Sequence, residues 1–259
     1  MTAAYEVYAI KYAHHERTAA QNFLGGDPHD GPMPMDYFVW LVRGDGLELV
    51  VDTGFNAATA VRRQRQLLRP VDRALALLEV DAASVRDVVI THLHYDHVGN
   101  FDCFPQATFH LQDLEMQYAT GRNMGHEALR HAFEVEDVVG MVRRVYAGQV
   151  RFHAGDAELF PGISVHLIGG HTMGLQVVRV ATRRGWVVLA SDASHYYANM
   201  GEGRPFPIVY NVGDMMDGWG RLRALADSPE HIVPGHDPEV LVRYPAPSAA
   251  LNGIVARLD

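Results

Sequence analysis

Residues 91–100 read Thr91-His92-Leu93-His94-Tyr95-Asp96-His97-Val98-Gly99-Asn100, with three histidines and an aspartate inside six positions. They follow Val88-Val89-Ile90, an apolar run that reads as a buried strand reaching its end. His92 and His94 are two apart, so on extended backbone they point to the same side. Asp96 and His97 need the chain to turn, and Gly99-Asn100 supplies turn chemistry. The pattern suits two metals side by side, one on His92 and His94, the other on Asp96 and His97. Imidazole and carboxylate are ligand types such ions take.

The other candidate ligands also sit just beyond apolar strands. His171 follows Val165–Ile168 and two glycines, Asp192 follows Val187–Ala190, and His236 follows Ile232-Val233 and Pro234-Gly235. Acid and imidazole at one strand end after another imply a single shared site along one sheet edge. The seven divide into His92, His94 and His171 for one metal and Asp96, His97 and His236 for the other. Asp192 is placed to bridge them. Open positions remain, as a catalytic site requires. Asp52, at the end of Leu49–Val51, is expected to orient a ligand.

Residues 5–12 and Asp36–Val42 read as strands, and Gly44-Asp45-Gly46 as the turn into Leu47–Val51. Between the first two, Ala13–Arg17 reads as irregular, and Phe23–Met35 carries too many prolines and glycines for a regular element. Helices are predicted over 57–68 and 72–79, separated by Pro70, with Asp72 as N-cap. Further helices are predicted over Gln112–Thr120, Glu127–Phe133, Glu136–Val142 and Asp214–Ala226. Phe109–Leu111, Gln176–Ala181, Trp186–Ala190 and His231–Val233 read as strands. So do Val150–His153 and Ile163–Ile168, around a turn at Gly155-Asp156. No linker, repeat or low-complexity tract interrupts the order. The expectation is one domain, residues 1–259, with two sheets and outer helices.

The chain has 259 residues, 48% of them hydrophobic, enough for a sizeable core. Its net charge of -9 excludes the clustered positive surface of a nucleic-acid binder. No apolar run approaches a membrane span. The start lacks the pattern of a secretory signal, and the lone cysteine, Cys103, reads as a packed thiol; both fit a cytoplasmic protein. Fifteen histidines point to metal or proton chemistry.

His92-Leu93-His94-Tyr95-Asp96-His97, Gly170-His171, Asp192, Gly235-His236 and the earlier Asp52-Thr53-Gly54 together resemble the metallo-β-lactamase fold superfamily. Within it, Gly170–Gln176, Ser191–Ser194 and Gly235-His236-Asp237 look like the N-acyl homoserine lactone lactonases. The resemblance implies an α/β (α+β) fold, a four-layer αββα sandwich of two mixed sheets flanked by helices. It also implies two divalent ions, usually zinc, with manganese, iron or cobalt as alternatives, and a homodimer. Lactonases carry a tyrosine three residues after the bridging aspartate, where this chain has His195, followed by Tyr196. β-Lactamases of this fold often have cysteine where Asp192 stands. Glyoxalase-type relatives carry a basic helical extension, whereas only a short tail follows His236.

The activity implied is hydrolysis of an N-acyl homoserine lactone or related small lactone by a hydroxide shared between the ions. Another small ester, amide or cyclic imide is the alternative, and a non-catalytic metal-dependent binding protein the remote one. Asp96 is expected to orient the nucleophile, and His195 or Tyr196 to contact the carbonyl or the leaving oxygen. Phe23, Met35 and Phe206, on Pro-rich apolar segments, are expected to shape the substrate pocket.

Overall fold

The computed structural model describes residues 4–259. The first half of the chain forms β1 (Glu6–His15), β2 (Met35–Gly44), β3 (Leu47–Val51), α1 (Ala57–Arg63), β4 (Gln66–Leu67), α2 (Val71–Ala76), β5 (Asp87–Val89), α3 (Tyr95–Val98), β6 (Thr108–Gln112), α4 (Asp113–Ala119), α5 (Glu127–Arg130) and α6 (Val135–Tyr146). The second half adds β7 (Val150–His153), β8 (Ala157–Phe160), β9 (Ile163–Leu167), β10 (Gln176–Thr182), β11 (Gly185–Ser191), α7 (Tyr197–Glu202), α8 (Val212–Leu225), β12 (Ile232–Pro234), α9 (Val240–Arg243) and β13 (Val255–Arg257).

Two mixed sheets result. One runs β13-β1-β2-β3-β5-β6-β7 with β4 beside β1; the other runs β12-β11-β10-β9-β8. Strands β2 and β3 close as the antiparallel hairpin that Gly44-Asp45-Gly46 signalled, all three turn residues at positive φ. Strands β3, β5, β6 and β7 are parallel, joined by connections that carry helices. In the second sheet only β11 and β12 are parallel. Parallel strands end at the same edge. Asp52 and Thr91 therefore emerge together from one sheet, and Asp192 and His236 from the other.

Three apolar layers set the stack. Phe38, Trp40, Val42, Leu49, Val51 and Val89 meet Val165, Val178, Val180, Val187 and Leu189 between the sheets. The alternate residues Tyr37, Val39 and Leu41 face the other way, toward Ala74 and Leu75 of α2 and Val138 and Met141 of α6. On the far side, Val177, Val188 and Ala190 pack on Met215, Trp219 and Leu222 of α8. The order is helix, sheet, sheet, helix, as the αββα reading expects. Both faces of each sheet are covered, which is why strands such as β2 read as near-continuous apolar runs.

Several local expectations are corrected. Residues 57–68 do not form one helix: α1 ends at Arg63, Gln64 takes left-handed backbone at φ 55, and Gln66-Leu67 pair with β1. Pro70, extended at ψ 149, stands at the N-cap of α2, and Asp72 falls in the first turn. Ala13–His15 continue β1 against Met35–Tyr37. β9 returns from β8, across Pro161-Gly162, and not from β7. β8, α7 and β13 had no counterpart in the sequence reading. Cys103 is half-buried and packs against the core. No helix among the described residues is long and apolar enough to cross a membrane.

Candidate metal centre

The seven sequence-predicted ligands converge at the shared edge of the two sheets, and every one is buried. His92 and His94 leave β5 on extended backbone; Asp96 and His97 lie on the single turn of α3 that follows. His171 comes from the loop between β9 and β10, Asp192 from the end of β11, and His236 from the end of β12.

Two groups form around Asp192. In the first, His94 Nδ1 lies 3.1 Å from His92 Nε2 and 2.9 Å from His171 Nε2. Asp192 Oδ2 is 3.1 Å from His171 Nε2 and 3.6 Å from His92 Nε2. In the second, Asp192 Oδ1 is 3.0 Å from His236 Nε2 and 3.4 Å from His97 Nε2. Asp96 Oδ2 stands 3.8 Å from both those nitrogens. Tetrahedral zinc with bonds of about 2.0–2.1 Å holds its ligands about 3.3 Å apart, so both groups have the spacing of a coordination shell.

Hydrogen bonding fixes which nitrogen faces the centre. His171 Nδ1–H donates to Ile208 O at 2.7 Å, and His236 Nδ1–H to Asp36 O at 2.9 Å. A carbonyl only accepts, so each Nε2 is left as the lone-pair nitrogen. His97 Nδ1–H donates to Asp52 Oδ2 at 2.7 Å, which gives Asp52 the orienting position its place in the sequence suggested. Asp52 also accepts from Thr91 N and Thr91 Oγ1 at 2.7 and 2.8 Å. The inward atoms His97 Nε2, His236 Nε2 and Asp192 Oδ1 are buried without a hydrogen-bond partner. Orphaned buried polar atoms cost about 1–3 kcal/mol each unless something else satisfies them. Neutral imidazoles and carboxylates aimed at common points are a donor set that fits divalent ions.

Electrostatics agree. Burial, reinforced by neighbouring imidazoles, pushes His92 and His94 well below the usual histidine range. Burial works to raise Asp192, but His195, His236, His97 and His171 hold it well below the usual carboxylate range. Burial opposes the protonation of His97 and His236, yet Asp192 together with Asp52 and Asp96 for His97, and with Asp96 for His236, raises both.

His195 is no surface residue. Its Nε2 lies 3.0 Å from Asp192 Oδ2, its ring stacks on Phe206 at 3.7 Å, and its Nδ1 is buried without a partner. With Asp192 and His236 it completes a third cluster of potential ligands. Burial pushes its pKa down to about 3 despite Asp192 beside it. Tyr196 donates its hydroxyl to Pro34 O at 3.3 Å and does not line the cavity over the cluster. Phe23 lies outside that lining too, buried under the Arg204 guanidinium. Met35 and Phe206 do line the cavity, whose volume is ≈ 210 Å³.

Three features of the site escaped sequence reasoning. Tyr37 and Tyr95 line the cavity with their hydroxyls 3.3 Å apart. Arg17, Arg63 and Arg65 form its rim, from segments read only as an irregular stretch and a helix. Glu115, on α4, is fully buried and accepts from Leu93 N, Thr172 Oγ1 and Gly174 N at 2.8, 2.6 and 3.1 Å. It ties the His92–His97 turn to the loop that carries His171. Only its place at a helix start after a strand hinted at any role.

Residues 33–236 match the family model described as the metallo-beta-lactamase superfamily. A probable metallo-hydrolase of Mycobacterium tuberculosis (strain ATCC 25618 / H37Rv) is 26% identical over 235 residues, covering 79% of this chain and 72% of its own length. An N-acyl homoserine lactonase of Rhizobium johnstonii (strain DSM 114642 / LMG 32736 / 3841) is 31% identical over 175 residues, 65% of this chain and 64% of its own. A solved N-acyl homoserine lactone hydrolase, with the product N-hexanoyl-L-homoserine bound at its catalytic metal centre, matches at a TM-score of 0.74 and 19% identity. That match covers 92% of this chain and 94% of its own.

Two outcomes follow from this geometry. His97 and His236 are raised, so the metal-stripped protein holds protons near neutral pH that an ion must displace. Calorimetric titration with Zn²⁺ in buffers of different ionisation enthalpy will show net proton release, and apparent affinity will fall as pH drops. Proton-neutral binding would contradict the arrangement. Glu115→Ala leaves three buried donors unpaired and will lower stability by about 3–5 kcal/mol in denaturant titration. An unchanged midpoint would rule out the tie.

Proposed function

The chain belongs to the metallo-beta-lactamase superfamily, and from that premise we propose that it is a metal-dependent hydrolase opening the ring of a small lactone, with residues 1–259 as one catalytic domain. The observation that carries the reading is the division of Asp192, one oxygen toward each group of imidazoles, beneath a cavity. We assign two ions, most simply zinc, to His92, His94 and His171 on one side and Asp96, His97 and His236 on the other, with Asp192 between. Divalent ions held there would supply a deprotonated water near neutral pH and a Lewis acid for the carbonyl oxygen. The lactonase among the relatives and the product-bound neighbour support a lactone as the ester acted on.

The remaining steps belong to the protein's own side chains. Asp96 lines the cavity and is placed to orient the attacking water. His195 Nε2 lies 3.0 Å from Asp192 Oδ2; an ion taking up that oxygen would leave the imidazole N–H to stabilise the developing oxyanion. Burial pushes the pKa of His195 down to about 3, so little imidazolium is present near neutral pH to protonate the leaving oxygen, and the hydrogen-bonding role is the one we assign. Tyr196 is committed to Pro34 O, and the carbonyl contact passes to His195. Pockets for drug-sized ligands hold about 300–1,000 Å³, so a cavity of ≈ 210 Å³ suits a ring with a short substituent.

Metal analysis and a lactone panel on the same sample will find about two divalent ions per chain and ring-opened product by mass spectrometry. A fully metallated protein inert to lactones but active on another ester or amide would overturn the substrate reading. His195→Ala will lower turnover by about 10²-fold with metal content unchanged. Loss of metal in that variant would make His195 a ligand instead.

A further inference from the structure

The cavity has two unlike walls. One is the His/Asp cluster, and the other carries Arg17, Arg63 and Arg65. Arg63 is committed elsewhere. It pairs with Glu134 at 2.7 Å and donates to the carbonyls of His131 and Phe133.

Arg17 and Arg65 differ. Neither has a carboxylate within 4.0 Å among the described residues. Arg17 donates Nε to Asn22 Oδ1 and Nη2 to Gln21 O, and its guanidinium lies 5.1 Å from the Phe206 ring centre. Arg65 donates Nε to the Tyr95 hydroxyl at 3.0 Å and Nη1 to His15 Nε2 and Arg63 O. His15 is no counter-charge, since an imidazole is neutral or cationic; burial and Arg65 push its pKa down to about 4, so it accepts from Arg65 as the neutral ring. Both arginines are half-buried. Burial works against the charge of Arg17, and Arg65 is close enough to add repulsion.

Neither half-buried guanidinium is paired with an acid, and the charge is the more costly to hold at Arg17, since at Arg65 burial is outweighed by Tyr37, Tyr95 and the field of Asp96. Two such charges are also unexpected in a chain whose 31 acidic residues outnumber its 22 lysines and arginines. An anion entering the cavity would relieve the repulsion, and guanidinium forks match the two oxygens of a carboxylate. We infer that Arg17 and Arg65 bind a carboxylate on the substrate, so that the molecule opened over the His/Asp cluster is a small acidic lactone. This rests on the hydrolase reading above and adds a substrate class to it. Tyr37 and Tyr95, between the arginines and the cluster, would lie alongside the bound ring.

The test compares two γ-lactones that differ in one ring substituent, a carboxylate against its carboxamide, on the metal-loaded full chain. The expected kcat/KM ratio is about 100 in favour of the acid, expressed mainly in KM. Arg17→Met and Arg65→Met should each cut that ratio about tenfold, and the Lys variants should keep part of it. If either Met variant misfolds, the wild-type ratio alone decides. Equal turnover of acid and amide would overturn the inference and leave the lactonase reading standing. If neither lactone opens, the lactonase reading fails, and glutarate binding by calorimetry decides the inference separately. Binding at least tenfold weaker in Arg17→Met and Arg65→Met would sustain it, and binding indifferent to both would end it.

Discussion

One carboxylate, that of Asp192, sits between two sheets and among five imidazoles. His171 and His195 lie within 3.1 Å of one oxygen, and His236 and His97 within 3.4 Å of the other. Placing a charge so deep costs several kcal/mol unless its neighbours compensate. The compensating groups come from both sheets, so the sheets cannot slide without breaking the arrangement. Thr91 at the end of β5 closes the join. Its Oγ1 meets Asp52 Oδ2 on one side and Ser191 Oγ, at the end of β11, at 2.9 Å on the other. Asp52 and Ser191 both take positive φ, 61 and 45, a backbone state uncommon for non-glycine residues. Gly235 shows how tight the join is: a Cβ there would come within 2.8 Å of Asp192 Oδ1.

The scaffold meets that demand by being apolar on both faces of each sheet. Trp40 and Phe38 fill the inter-sheet layer, while Tyr37 on the same strand faces the other way and reaches the cavity. One strand thus contributes to the core and to the site by simple alternation. Glu115 does for the loops what Thr91 does for the strands. A single buried carboxylate satisfies the backbone of both ligand-bearing loops, so their positions are coupled through it.

The metal-ligand candidates were legible because their signal is local. Two histidines two apart on an extended run, then a turn, is a pattern that needs no tertiary knowledge. The strand-end rule carried the same reading to His171, Asp192 and His236. What was not legible depends on where distant segments meet. Arg65 lies just past a helix that the sequence alone continued to residue 68, and the left-handed Gln64 that ends it has no strong marker. β13 is a three-residue strand that takes its ladder from β1, far away in the sequence. β8 was hidden because Pro161-Gly162 makes a turn as plausible as the one read at Gly155-Asp156. Tyr196 looked like a site residue from its neighbours in sequence. α7 starts directly after it, and that turn sends its hydroxyl to Pro34.

The two walls of the cavity impose opposite charges across a short gap. The cluster wall contains ionised Asp192 and the oxygens of Asp96, which divalent ions would offset, while Arg17 and Arg65 on the rim have no paired carboxylate. Such a site is least stable when empty. Anything that binds the folded form alone adds stability in proportion to its affinity. Selectivity arises from the same opposition. A ligand that satisfied both walls at once would be favoured, because leaving the arginines unmatched keeps half-buried charge without a partner. That penalty exceeds what a few apolar contacts with Met35 and Phe206 can return.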